Sequence, residues 1–174
     1  MIHDLGLLTS RAVIGLGMAA HGAQKAFGWF GGPGPQGTAN FLGSLGFAPS
    51  EKYAMAAAYN EFVSGMLVAL GLGGAVGPAG IISGMIVAAM TVHAKNGFFV
   101  ADNGVELPAL YAASALALAS SGYGALSLDH ALGLDRKLRH PAATALVVAG
   151  GVASALAVLA QRNGAQAQEQ PQAT

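Results

Sequence analysis

Four ionisable residues, His21, Lys25, Glu61 and His93, stand inside or at the ends of long apolar stretches of the chain. A charged group at the centre of a lipid-embedded helix costs about 2.5–3.5 kcal/mol on the insertion scale, so such residues are paired or used. At 1.5 Å per residue, Glu61 lies roughly 12 Å inside its stretch and His21 roughly 9 Å below Phe27. Lys25 follows His21 by one turn on the same helical face. His93 closes its own stretch and is followed by Lys95. If successive stretches run antiparallel, His21, Lys25, Glu61 and His93 converge in one half of a bundle. Asn60 diverges from Glu61 by about 100°, so only one of the two faces a given point.

Three kinds of chemistry fit this set. Imidazole and carboxylate pass protons, which suits the protonation of a quinone oxygen. Two histidines and a carboxylate also form a ligand set for zinc or non-haem iron. A Glu–Lys or Glu–His pair equally serves to lock two helices together. Spacing does not choose among the three. It lacks the tight pattern of a metal motif, so no metal site is assigned. His21 and His93 are the only histidines inside the stretches, a poor basis for haem, and no covalent cofactor is expected. The working assignment gives catalytic roles to His21, Lys25, Glu61 and His93, with a quinone held by His21, Glu61, His93 and Trp29.

A second set sits toward the other end. Arg11 is near the start of the first stretch, and Asp129 ends the run Gly122 to Asp129 that closes the fourth. The expectation is an Arg11–Asp129 pair across the bundle. The alternatives are that Arg11 reaches for lipid headgroups and that Asp129 caps a short helix.

These residues need elements to carry them, and the charge pattern supplies five. The stretches are about Leu5 to Phe27, Tyr53 to Leu72, Ala75 to His93, Leu107 to Leu126, and Ala142 to Ala160. Each is close to the ~20 residues that cross a hydrocarbon core, and none shows a polar face at helical spacing. Charged residues make up 9% of the 174-residue chain and hydrophobic ones 53%, against about 25% charged in an ordinary soluble domain. The reading is a five-span α-helical membrane protein in contact with lipid. The first stretch is read as a retained span, since Met1-Ile2-His3-Asp4 is not the basic start of a signal peptide. Eight basic residues against eight acidic ones argue against a nucleic-acid partner. The absence of cysteine excludes disulfides, thiolate metal sites and thiol redox chemistry on this chain.

Small residues suit helix contact in lipid, where packing drives association. Gly80, Gly84 and Ala88 form one such face, and Gly150 with Gly151 another. The last stretch carries no ionisable group, so it is expected to lie apart from the pocket and to join a second copy or a partner subunit through residues 142–160. The loop after Phe27 matches Gly-x-Gly-x-x-Gly at Gly32, Gly34 and Gly37, but no strand precedes it and prolines interrupt it, so a dinucleotide site is rejected. Trp29, Phe30, Phe41 and Phe47 make it an expected interfacial segment. The cluster Arg136, Lys137 and Arg139 favours the cytoplasmic side for that loop. The N-terminus is then cytoplasmic, although Lys25, Lys52, Lys95 and Arg162 count the other way.

Taken together, Arg11, His21-Gly22-x-Gln24-Lys25-x-x-Gly28, Phe41, Glu61 with Gly65 and Leu67, Leu70-Gly71-Leu72, His93, Gly97-Phe98-Phe99 and Gly122-x-Gly124-x-x-Ser127-x-Asp129 resemble the DoxX family of small bacterial membrane proteins. The resemblance covers about residues 5 to 130. It implies an all-α four-helix transmembrane bundle, to which this chain adds a fifth C-terminal transmembrane helix. The expected layout is a bundle over residues 1–140, the added helix over 141–160 and a disordered tail over 161–174. Some members are similar to the membrane subunit of a thiosulfate:quinone oxidoreductase. Others are associated with oxidative-stress complexes that include superoxide dismutase and a sulfurtransferase. The expectation is therefore a multi-pass inner-membrane subunit of a redox complex that binds a quinone and receives electrons from a partner subunit. The alternatives are a non-enzymatic anchor or scaffold for a partner protein and a small-solute transporter.

Overall fold

The computed structural model describes the backbone of residues 1–169 and the side chains of residues 1–162. Each of the five apolar stretches carries a helix, the fourth only as far as Ser121. The helices are α1 (Ile2–Phe27), α2 (Gly34–Ser44), α3 (Ser50–Leu70), α4 (Val76–Ala88), α5 (Glu106–Ser121), α6 (Leu128–Ala131), α7 (Asp135–Leu138) and α8 (Pro141–Glu169). A π turn over Ala89–His93 and a 3-10 turn over Ala94–Asn96 prolong α4. Glycines end three of the long helices. Gly28 and Gly71 take left-handed conformations with φ 70° and 66°, and Gly122 follows with φ 73°. A side chain there would be strained, so the chain turns where glycine stands.

Helix α1 runs along α3, and the reason is a file of small residues. A Cβ at Gly15 would lie 2.4 Å from the Ala69 nitrogen, one at Gly22 2.3 Å from the Phe62 nitrogen, and one at Gly65 2.4 Å from the Ala19 nitrogen. The two backbones therefore touch along about two turns, which no larger residue permits. Gly80 and Gly84 of α4, expected to make such a face, instead meet the side chains of α3. Asn60 Nδ2 donates to Gly80 O at 2.9 Å, and a Cβ at Gly84 would lie 3.2 Å from that same nitrogen. Met18, Val68, Ile81, Ala115 and Leu118 fill the centre between α1, α3, α4 and α5.

Helix α8 uses Gly151 to approach α4, where a Cβ would lie 2.5 Å from Ala79 O, and Ala155 is fully buried there. The glycine contact thus falls inside the chain, while Leu146, Val147 and Leu156 stay exposed. The far end of α8 is tied down. Arg162 Nε donates to Leu45 O at 2.6 Å, Tyr53 Oη donates to Gln161 Oε1 at 2.7 Å, and the Arg162 guanidinium lies 5.7 Å from the Phe47 ring centre. Two expectations change here. The backbone is helical through Glu169, beyond the start of the disordered tail expected at residue 161, and residues 170–174 lie outside the described residues. Phe47 is buried under Arg162 and beside Tyr53, so of the four loop aromatics only Trp29, Phe30 and Phe41 face outward.

Among the described residues, two helices are by length and composition apolar and long enough to cross a membrane: Val76–Asn96 and Pro141–Arg162. The five-span count does not follow from helix length alone. Helix α5 stops at Gly122 and has 16 residues, about 24 Å at 1.5 Å each. Helix α1 is long but carries Arg11 and Lys25.

Candidate functional site

Glu61 faces α1. Its side chain is 8% exposed, and Lys25 Nζ donates to its Oε1 in an ion pair. Lys25 stands in the last turn of α1, where a cation also favours the exposed carbonyls of the helix end. The other carboxylate oxygen, Glu61 Oε2, is buried and has no hydrogen-bond partner among the described residues. Asn60 points to α4, so the two polar neighbours do diverge.

His21 does not join them. Gly22 is the point of contact with α3, and His21 lies about 100° before it on the helix. Its short side chain is exposed and meets Tyr111 of α5 edge-on, with ring centres 6.3 Å apart. Lys25, only about 60° from Gly22 and on a longer arm, reaches Glu61 instead. Tyr111 is a polar residue that spacing did not single out. Its hydroxyl lies over α1, 2.6 Å from where a Cβ at Gly17 would sit. Its signal in the sequence is only that it is one of two tyrosines, with Tyr123, in the fourth apolar stretch.

His93 is also elsewhere. Its Nδ1 is 2.8 Å from Asn103 O, and Asn96 Nδ2 donates to the same oxygen at 3.2 Å. A carbonyl only accepts, so His93 Nδ1 carries a proton and donates it to that oxygen. It fastens the loop between α4 and α5. That loop is closed further by Val100 N, which donates to Glu106 Oε2 at 2.8 Å. The expected convergence of His21, Lys25, Glu61 and His93 therefore reduces to Lys25 and Glu61. No group of three or more His, Asp or Glu among the described residues is placed to hold a metal. Trp29 packs on Phe27, ring centres 5.0 Å apart, in an aromatic surface that extends to Phe62 and Tyr59.

Beside the ion pair lies a cavity of about 180 Å³ between the end of α1, α2 and the first half of α3. Lys25, Gln36, Ala39 and Glu51 line it, with Met55 and Tyr59 at its exposed side. Helix α2 makes this cavity, and nothing in the charge pattern announced that helix.

At the other end, Arg11 and Asp129 are both buried but form no ion pair. Each holds backbone instead. Arg11 Nη1 donates to Ala69 O at 3.0 Å and Nη2 donates to Leu126 O. The Asp129 carboxylate accepts from Gly73 N at 2.9 Å and Gly74 N at 2.8 Å, and Asp129 N donates to Gly71 O at 2.9 Å. Ser127, not Asp129, caps α6 by accepting from His130 N. In place of the expected pair there are two staples: Arg11 ties α1 to the end of α3 and to the segment before α6, and Asp129 ties α6 to the turn after α3. Asp4 adds a third, accepting from Ala125 N at 2.9 Å. Tyr123 is buried among them, and its hydroxyl has no hydrogen-bond partner among the described residues.

Among the described residues these features define an all-helical protein built on a close α1–α3 contact, with the Lys25–Glu61 ion pair at one end and backbone staples at the other. The DoxX family model matches residues 6–94, and the chain belongs to the DoxX family, a family of membrane proteins. The match takes in Arg11, Lys25, Glu61 and His93 but ends before α5 and Asp129. No curated protein and no solved structure matches the chain.

Proposed function

We propose that this chain is an integral subunit of a membrane redox complex and that it binds the head of a quinone beside Lys25 and Glu61. The observation that carries the reading is a buried carboxylate with one oxygen on Lys25 and the other unpartnered, next to a cavity that Lys25 itself lines. Whole small ligands usually occupy about 300–1,000 Å³. The cavity suits a ring head, whose tail would leave past Met55 and Tyr59 into lipid. Lys25 donates to a quinone oxygen, and Glu61 relays the proton that the reduced ring needs. His21 and His93 have no part in this scheme.

Extraction of the purified protein with organic solvent tests it. Quinone is expected at about one per chain in the wild type and is lost in Glu61→Gln or Lys25→Met. Quinone-free protein, or variants that retain it, would sink the reading. A second reading, a non-enzymatic anchor, is favoured by the exposed apolar face of α8. It predicts membrane insertion without quinone.

In either reading the protein sits in the bacterial inner membrane with its N-terminus in the cytoplasm. The chain has no cysteine, so single cysteines report topology cleanly. One at Gln36 is expected to label from outside, and one at His140 only after permeabilisation. The reverse pattern would invert the orientation.

A further inference from the structure

A second cavity, about 520 Å³, opens between the end of α5 and the first turns of α8. Both helices pack on α4 but touch each other little, so they splay. The walls are apolar: Leu116 and Ala119 from α5, Ala145 and Val148 from α8. Two hydroxyl residues, Ser120 and Thr144, also line it, and the Ser120 hydroxyl donates to Leu116 O at 2.8 Å. The one charged group at the cavity is Arg139. Its side chain lies over Gly122, where a Cβ would come within 2.9 Å of Arg139 Cδ, so glycine at that position makes room for it. Among the described residues Arg139 has no acidic partner. Asp135, four residues before it, is taken by His130 at 3.0 Å.

An apolar cleft with one unpaired guanidinium at its end asks for an occupant that is apolar along its length and anionic at one point. Arg136 and Lys137 on the preceding turn deepen the positive field there. Basic pockets between helices at the cytoplasmic surface of a membrane are suited to anionic headgroups. We propose that this cleft holds one anionic phospholipid, with an acyl chain between α5 and α8 and its phosphate on Arg139. A quinone does not fit as well, since its head carries no charge for Arg139 and the cleft offers no acid to supply a proton. The proposal rests on α5 and α8 both lying in the bilayer, and it is independent of any ligand at Lys25.

The test uses the full chain in detergent, with phosphatidylglycerol and phosphatidylcholine of identical acyl chains and bound lipid counted by native mass spectrometry. One tightly held phosphatidylglycerol is expected, favoured over phosphatidylcholine by about fivefold, the effect of one basic residue near a membrane surface. Arg139→Gln should abolish that preference while leaving weak binding of both lipids. Ala145→Trp, at an exposed position on the cleft wall, should block both. Inorganic phosphate at the same concentration should not compete. Equal binding of the two lipids by the wild type, a preference surviving in R139Q, or displacement by inorganic phosphate would overturn the proposal. Carbonate extraction of native membranes is the separate check on bilayer placement. Release of the chain by carbonate defeats the membrane reading and this proposal together, whereas retention with no lipid preference defeats this proposal alone.

Discussion

Lys25 and Glu61 meet across the α1–α3 contact one turn beyond Gly22, the residue whose missing side chain brings the two backbones together. The ion pair and the glycine belong to one device. Close approach excludes water and lipid from around the carboxylate, and the lysine then compensates the charge that the approach has buried. The pair is lopsided: Glu61 is 8% exposed and Lys25 33%.

That asymmetry predicts unequal mutants. Lys25→Met strands a buried carboxylate and is expected to cost about 3 kcal/mol, the lower end for breaking a buried pair. Glu61→Gln leaves a lysine that can turn to solvent and is expected to cost about 1 kcal/mol, closer to a surface pair. The double variant should be more stable than K25M alone. Thermal unfolding in detergent measures all three, and equal losses from the two single changes would contradict the described burial.

Glycines should separate into two groups. Gly22→Ala places a Cβ 2.3 Å from the Phe62 nitrogen, and neither backbone can yield without parting the helices. A loss of about 1–3 kcal/mol is expected, as for other forced overpacking. Gly150→Ala meets nothing within 4 Å and lies inside a helix, so it should be neutral or stabilising, by up to about 1 kcal/mol. The same denaturation assay reads both, and a harmless G22A would remove the basis for the α1–α3 contact.

Asp129 holds two backbone N–H groups, and its replacement should show it. Asp129→Ala leaves the part-buried Gly73 and Gly74 N–H groups without their acceptor, a loss of about 1–2 kcal/mol, toward the lower end for unsatisfied donors. Asp129→Asn keeps one acceptor oxygen and should lose less. Because Arg11 bonds to carbonyls rather than to Asp129, a double-mutant cycle between them should give a coupling well below that of Lys25 with Glu61. A coupling as large as that of Lys25 with Glu61 would restore the direct pair.

The His130–Asp135 contact carries a pH dependence. The hydrogen bond from His130 holds the Asp135 carboxyl below its ordinary value of 3.8, helped by Arg136 N. A depressed carboxylate pKa means the folded state prefers the ionised form. The associated stability is present above the unfolded value and is lost as pH falls through the folded one. His130→Ala should move the Asp135 titration back up toward 3.8, followed by the carboxyl carbon resonance. An unchanged titration would show that His130 is not the cause.

Much of the fold is legible in the sequence. Uncharged stretches of about 20 residues became helices because an apolar segment bounded by charges, prolines and glycines satisfies its own backbone most simply that way. Glu61 was recognisable as an inward residue because a carboxylate in such a segment must find a partner. Which partner it finds was not legible. His21 and Lys25 share a helical face by spacing, and only the rotation of α1 about its axis separates them. Helices α3, α4 and α5 are apolar on nearly every side, so periodicity carries no signal for rotation. Rotation is decided where two backbones touch, at Gly15, Gly22 and Gly65, and that contact turns Lys25 toward α3 and His21 toward α5. The same holds for Arg11 and Asp129, whose types announced a buried polar cluster while the turn at Gly71 to Gly74 gave each a backbone partner. Composition determines that charges in apolar helices are satisfied; the small-residue contacts of the folded chain determine by whom.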